Sequence, residues 1–116
     1  MSKFVNFDEC LKEMENRYKN NENVRKPLKN FENTLIITCV KENHGVLIKI
    51  NKDQGIEIKD GVIDDSVPLQ VHFRSKQILI DMFNKTLSPL KAYSTGKIKI
   101  IKGKKSLLIK LRKLLF

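Results

Sequence analysis

Residues 87–100 read LSPLKAYSTGKIKI, and this stretch joins a helix to a strand through a forced break. Ser88 suits an N-cap, and Pro89 suits the first helical position, where the missing N–H removes no bond. Leu90 and Tyr93 give the short helix an apolar face. Gly96 ends it, because a C-terminal cap requires a left-handed residue that glycine adopts freely. From Lys97 to Ile101 lysine and isoleucine then alternate, the period-two pattern of a half-buried strand.

Working back from this joint, VPLQVHF at 67–73 puts Leu69, Val71 and Phe73 on one face of a strand and Gln70 and His72 on the other. Ser75 then starts a helix whose buried stripe is Ile78, Leu79, Met82 and Phe83, with Asp81 outside it. Further upstream, Thr34 to Val40 is apolar and β-branched almost throughout, as in a strand near a sheet centre. Asn43, His44 and Gly45 turn the chain, and 46–50 and 56–59 complete an antiparallel meander. KDGVIDD at 59–65 is a loop.

At the start, Asn6 and Glu9 have the spacing of a capping box, and Phe7, Cys10, Leu11, Met14 and Tyr18 recur at helical intervals. A helix over 7–19 follows. Val24, Leu28 and Phe31 suggest a second, short helix that Pro27 either begins or kinks. Downstream of the joint, Gly103 ends the strand. On a helical wheel for 104–116, Leu107, Leu108, Leu111, Leu114 and Leu115 fall on one side and Lys110 and Lys113 opposite. A basic amphipathic helix is expected there, with a strand over SLLIKL as the competitor.

At 116 residues, 41% of them hydrophobic and 31% charged, the chain has the size and composition of one globular domain over 1–116. No apolar run nears the roughly 20 residues of a bilayer helix. The opening MSKFVNFDEC places acids and a cysteine where a signal peptide would be apolar, so a cytoplasmic protein is expected. The net charge of +10 is unevenly placed: residues 1–81 carry 13 basic and 13 acidic side chains, and the remainder carries ten basic ones and no acid. An anionic partner at that end is implied, whether lipid surface, ligand headgroup or nucleic acid.

Patterns that carry catalysis are thin. His44 and His72 have no acid or cysteine at ligand spacing, and a metal site needs three or four clustered donors. Asp64 and Asp65 are adjacent, so in extended chain they point apart and form no acid/base pair. GKKS near the end lacks the spacing of a phosphate-binding loop. Cys10 and Cys39 fit buried, reduced thiols. No catalytic residue, metal or cofactor is expected. For nucleic acid, only Tyr93 and Phe116 lie near the basic end, too few aromatics for a base-stacking surface.

The order of elements, and above all VPLQVHF, SKQILIDMF and LSPLKAYSTGKIKI, resembles the type-two sterol-carrier-protein lipid-transfer family. The matching positions are Leu87, Pro89, Ala92, Gly96, Lys97 and Ile98, with Leu108 and Leu111 fitting the closing helix. Lys85 and Thr86 stand where the family usually has a glycine, and Lys102 and Gly103 depart from it after the last strand. The terminal LLF is not the Ser-Lys-Leu type of peroxisomal address.

The resemblance implies an α+β fold, a five-stranded, mainly antiparallel sheet with helices packed over it, enclosing an apolar tunnel. Its wall would be Phe73, Ile78, Met82, Phe83, Leu87, Leu90, Tyr93, Leu108, Leu111 and Leu115. Lys85, Lys91, Lys97, Lys104 and Lys105 would meet a lipid headgroup or an anionic membrane. From the residues alone the same apolar stripes read first as core; the resemblance is what raises the pocket reading. Non-catalytic lipid binding and transfer is the function so implied. A domain presenting apolar substrate to a partner enzyme is the alternative, and a nucleic-acid binder ranks last.

Overall fold

The computed structural model describes residues 4–28, 33–51, 55–104, 106, 109–111 and 114. Helix α1 is Phe7–Asn20 and α2 is Glu22–Arg25, followed by a 3₁₀ turn at Lys26–Leu28. Strands β1, Asn33–Cys39, β2, His44–Asn51, and β3, Gly55–Asp60, come next. Strand β4 is Leu69–Phe73, α3 is Lys76–Phe83, α4 is Pro89–Ser94 and β5 is Ile98–Lys102. Phe31 of the expected second helix lies outside the described residues.

Asn6 caps α1 as expected, its Oδ1 accepting from the Glu9 N–H, but the Glu9 carboxylate accepts from the Val5 N–H and the Asn6 side-chain amide, so the capping box is a variant of the usual one. Ser75 does not cap α3 with its side chain; the Lys76 N–H donates instead to Glu42 Oε1 at 3.0 Å, from the turn after β1. That turn spans residues 40–43, with Asn43 in the left-handed region, so His44 and Gly45 already belong to β2.

The strand order is β3-β2-β1-β4-β5. The β1–β2, β2–β3 and β4–β5 pairings are antiparallel, but β1 and β4 run parallel at the centre, with Leu35 opposite Leu69 and Cys39 opposite Phe73. The sheet is therefore mixed, not mainly antiparallel. A parallel neighbour needs a crossover rather than a hairpin, and residues 61–68 supply it by passing over the sheet. Val62 and Val67 of this segment pack on Ile36 and Leu47, which face away from the helices. Gln70, buried beneath it, donates to the carbonyls of Asp65 and Val67.

The other face carries the main core. Leu35, Ile37 and Cys39 of β1, Val46, Ile48 and Ile50 of β2, Leu69, Val71 and Phe73 of β4 and Ile98 of β5 pack against α1, α3 and Ala92 of α4. The described tail residues, Ser106, Ile109–Leu111 and Leu114, are helical. Leu111 and Leu114 are buried in this core, Ile109 and Lys110 are exposed, and the Leu114 carbonyl accepts from Arg17 at 3.5 Å.

Candidate functional site

The joint at 87–100 folds as its residues dictate. Ser88 accepts from the Lys91 N–H, Gly96 takes φ +75°, and the N–H groups of Gly96 and Lys97 donate to the carbonyls of Tyr93 and Ala92. This is a Schellman cap, and it fixes the direction in which β5 leaves the helix. The helix buries Ala92 rather than Leu90, whose side chain is 75% exposed. Two residues along a helix are about 200° apart in rotation, so the two cannot share the core face.

On the helix side of the sheet, Leu35, Leu69, Val71 and Ile100 line a small void of about 10 Å³, which Leu111 of the tail closes. Lys102 and Lys104 complete its lining. The Lys102 ammonium is engaged elsewhere, donating to the Asp65 carbonyl at 3.0 Å. The exposed Lys104 makes no hydrogen bond or ion pair to another described residue. The void is lined by apolar side chains of β1, β4 and β5, with the two lysines at its margin. At this volume it holds no more than about one water.

Among the described residues expected in the tunnel wall, Leu111 alone lines this void. Phe73, Met82 and Phe83 are fully within the core. The Phe83 ring lies under the Arg17 guanidinium at 4.6 Å and against the edge of Phe4. Ile78 and Leu87 are half-buried on the core margin, and Tyr93 is half-buried on α4. Leu108, Leu115 and Lys105 lie outside the described residues. Lys85 and Lys91 are exposed around α4, and Lys97 belongs to the opposite face of the sheet. The sequence reading missed Leu35, Leu69, Val71 and Ile100. The alternation of 69–73 and 97–101 already put three of them on the apolar face; only the parallel β1–β4 pairing brings Leu35 to them.

Polar chemistry on the framework is sparse. His44 contacts Asp60 Oδ1 at 2.5 Å, across the end of β2 and β3, and stacks edge-on with Phe7. Ser66 holds Asp64 ionised below its usual range through its hydroxyl and its N–H. Among the described residues no three His, Cys, Asp or Glu side chains converge on a possible metal position, and no helix is long and apolar enough to cross a membrane.

The sheet order, the flanking helices and the buried tail define the type-two sterol-carrier-protein fold. Sterol carrier protein 2 superposes with a TM-score of 0.64 at 15% identity, over 91% of this chain and 87% of that one. A palmitated form of SCP2L2 from Aedes aegypti gives 0.64 at 18% identity, over 96% of this chain and 95% of that one. The inverting sec-alkylsulfatase Pisa1 from Pseudomonas sp. gives 0.60 at 16% identity; the likeness covers 77% of this chain but spans only 14% of the sulfatase. No protein-family model and no curated protein matches the sequence.

Proposed function

We propose that the protein is a non-catalytic lipid-binding domain. It takes one long hydrocarbon chain between the inner sheet face and the tail helix and passes it to a membrane or an enzyme. The observation that carries this reading is the apolar void closed by Leu111 with Lys104 at its margin, in a fold of which a palmitated example is solved. Lys104 attracts the carboxylate or phosphate of the ligand.

The void must open to do this. A chain-binding cleft has roughly 300 Å³ or more, so the tail helix moves outward, unburying Leu111 and Leu114. Exposing two leucines costs about 3 to 6 kcal/mol, and each methylene buried returns about 0.8. Some four to eight methylenes thus only break even at these magnitudes. Longer chains bind with a net gain, and headgroup identity matters little beyond its charge.

The test is displacement of a fluorescent fatty acid from delipidated protein by unlabelled acids of increasing length. Displacement is expected to be absent for chains of about six carbons and to strengthen through the long-chain range. Equal displacement by all lengths, or no binding of any, refutes the proposal. A second reading, a module that presents apolar substrate within or to an enzyme, is favoured by the appearance of the fold inside the much longer sulfatase. Under that reading a stable partner enzyme copurifies while the delipidated chain binds no fatty acid.

A further inference from the structure

The sheet face opposite the void carries a second, larger recess. A groove of about 340 Å³ is lined by Val40, His72, Arg74, Gly96, Lys97, Lys99 and Ile101. It lies where β4 and β5 run side by side, beyond the reach of the crossover packed on Ile36 and Leu47. His72 and Lys99 are directly paired across the strands, and one step on the Arg74 N–H donates to the Lys97 carbonyl at 2.8 Å. Side chains two apart share a face, so Arg74 and His72 on β4 stand in a block with Lys97 and Lys99 on β5.

None of these four side chains forms a hydrogen bond or ion pair with another described residue, and no carboxylate of the described residues lines the groove. Like charges set opposite one another across strands destabilise a sheet. Lys97 is accounted for in part as a cation at the carbonyl end of α4, but Arg74 and Lys99 have no such explanation. The bulge between β4 and β5 at Gln70/Val71 leaves Ile101 unpaired, and Ile101 is exposed beside Lys99. Val40 is exposed at the other side of the groove; the two apolar side chains are 53% and 47% exposed for Val40 and Ile101 respectively.

We propose that this groove is a phosphate-binding site, distinct from the chain-binding void. The Arg74 guanidinium supplies a planar fork that matches two phosphate oxygens, and Lys97 and Lys99 neutralise the remaining charge. Val40 and Ile101 take the carbon groups beside the phosphate. The phosphate belongs either to a small soluble phosphomonoester or to a phospholipid headgroup, and the proposal stands independently of lipid occupancy in the void.

The test uses the full chain with two probes: glycerol 3-phosphate, followed by amide chemical shifts, and phosphatidylcholine vesicles with and without phosphatidic acid, followed by cosedimentation. Perturbed amides confined to 72–74 and 96–101 are expected. The double variant Arg74→Gln/Lys97→Gln is expected to weaken binding at least tenfold, and Lys12→Gln/Lys26→Gln, which removes the same charge from exposed positions elsewhere, less than twofold. Binding of the soluble probe with this pattern identifies a small phosphomonoester. Binding of the acidic vesicles alone, with the same variant pattern, identifies the headgroup. Equal weakening by both double variants, or binding of neither probe, overturns the site.

Discussion

Lys85 carries the chain through a left-handed turn, φ +61°, between α3 and the approach to α4. A side chain with a Cβ is strained there by about 1 to 2 kcal/mol. Glycine relieves this and forfeits about 0.5 to 1 kcal/mol of chain entropy. Lys85→Gly is therefore expected to raise the urea midpoint slightly, and Lys85→Ala to leave it nearly unchanged. A lysine thus holds a backbone conformation that glycine adopts more freely. The thiols give a second expectation at this scale. Burial first, and then the nearby Glu9, pushes the Cys10 thiol up to about 11, and burial with Glu42 pushes Cys39 up to about 12. Thiols held above their unfolded value near 9.0 keep their protons longer in the folded chain. Their stabilisation is complete below that pH and is lost as pH rises through 11 and 12. Native protein at pH 7.5 is expected to react with a disulfide reagent far more slowly than denatured protein, and the urea midpoint to fall above about pH 9. Rapid native reaction would contradict the buried placement of both cysteines.

At the level of elements, what was legible followed from periodicity. The helices around Phe7 to Tyr18 and Ile78 to Phe83, the strands at 46–50 and 69–73, and the Schellman joint at Gly96 were all readable because each depends on neighbours in sequence. The crossover was not. Residues 59–65 read as a loop, and nothing in KDGVIDD states that the chain passes across two strands before pairing again. Its seat depends on Gly45, where a Cβ would lie 2.0 Å from the Val62 carbonyl oxygen. Gly45→Ala is expected to lower stability by about 1 to 3 kcal/mol, the range for overpacking, measured as a shift in denaturant midpoint. Exchange should rise most in residues 61–68. A neutral outcome would mean that the crossover does not sit on β2.

The molecule as a whole presents two faces of different character. One is an apolar layer closed by α1, α3 and the tail; the other is the sheet's outer surface, half covered by the crossover and half basic. Strands at the sheet centre are expected to exchange their amides only through global unfolding. The tail, whose described residues are held by Leu111, Leu114 and a long hydrogen bond from Arg17, is expected to open locally and sooner. Hydrogen exchange with and without a long-chain fatty acid checks this: the acid should slow exchange in the tail more than in β2. Uniform slowing across the sheet would place the ligand elsewhere. Of the ten basic residues after residue 81, the described ones are divided among the void margin, the surface around α4, the outer groove and the exposed Lys110 of the tail, settings that no count of charges could distinguish.

The sequence by itself determined most of the elements, the apolar faces of the strands at 69–73 and 97–101, the helix stop at Gly96 and the surplus of positive charge, because these follow from local conformational preference and burial period. The type-two sterol-carrier resemblance was legible in the same segments. Only the tertiary structure decided that β4 lies parallel to β1, since a parallel pairing joins residues more than thirty positions apart through backbone bonds that leave no side-chain pattern. That pairing sets Leu35 beside Leu69 beneath Leu111, while the antiparallel β4–β5 pairing brings Lys97 and Lys99 beside Arg74 and His72 on the other side of the sheet.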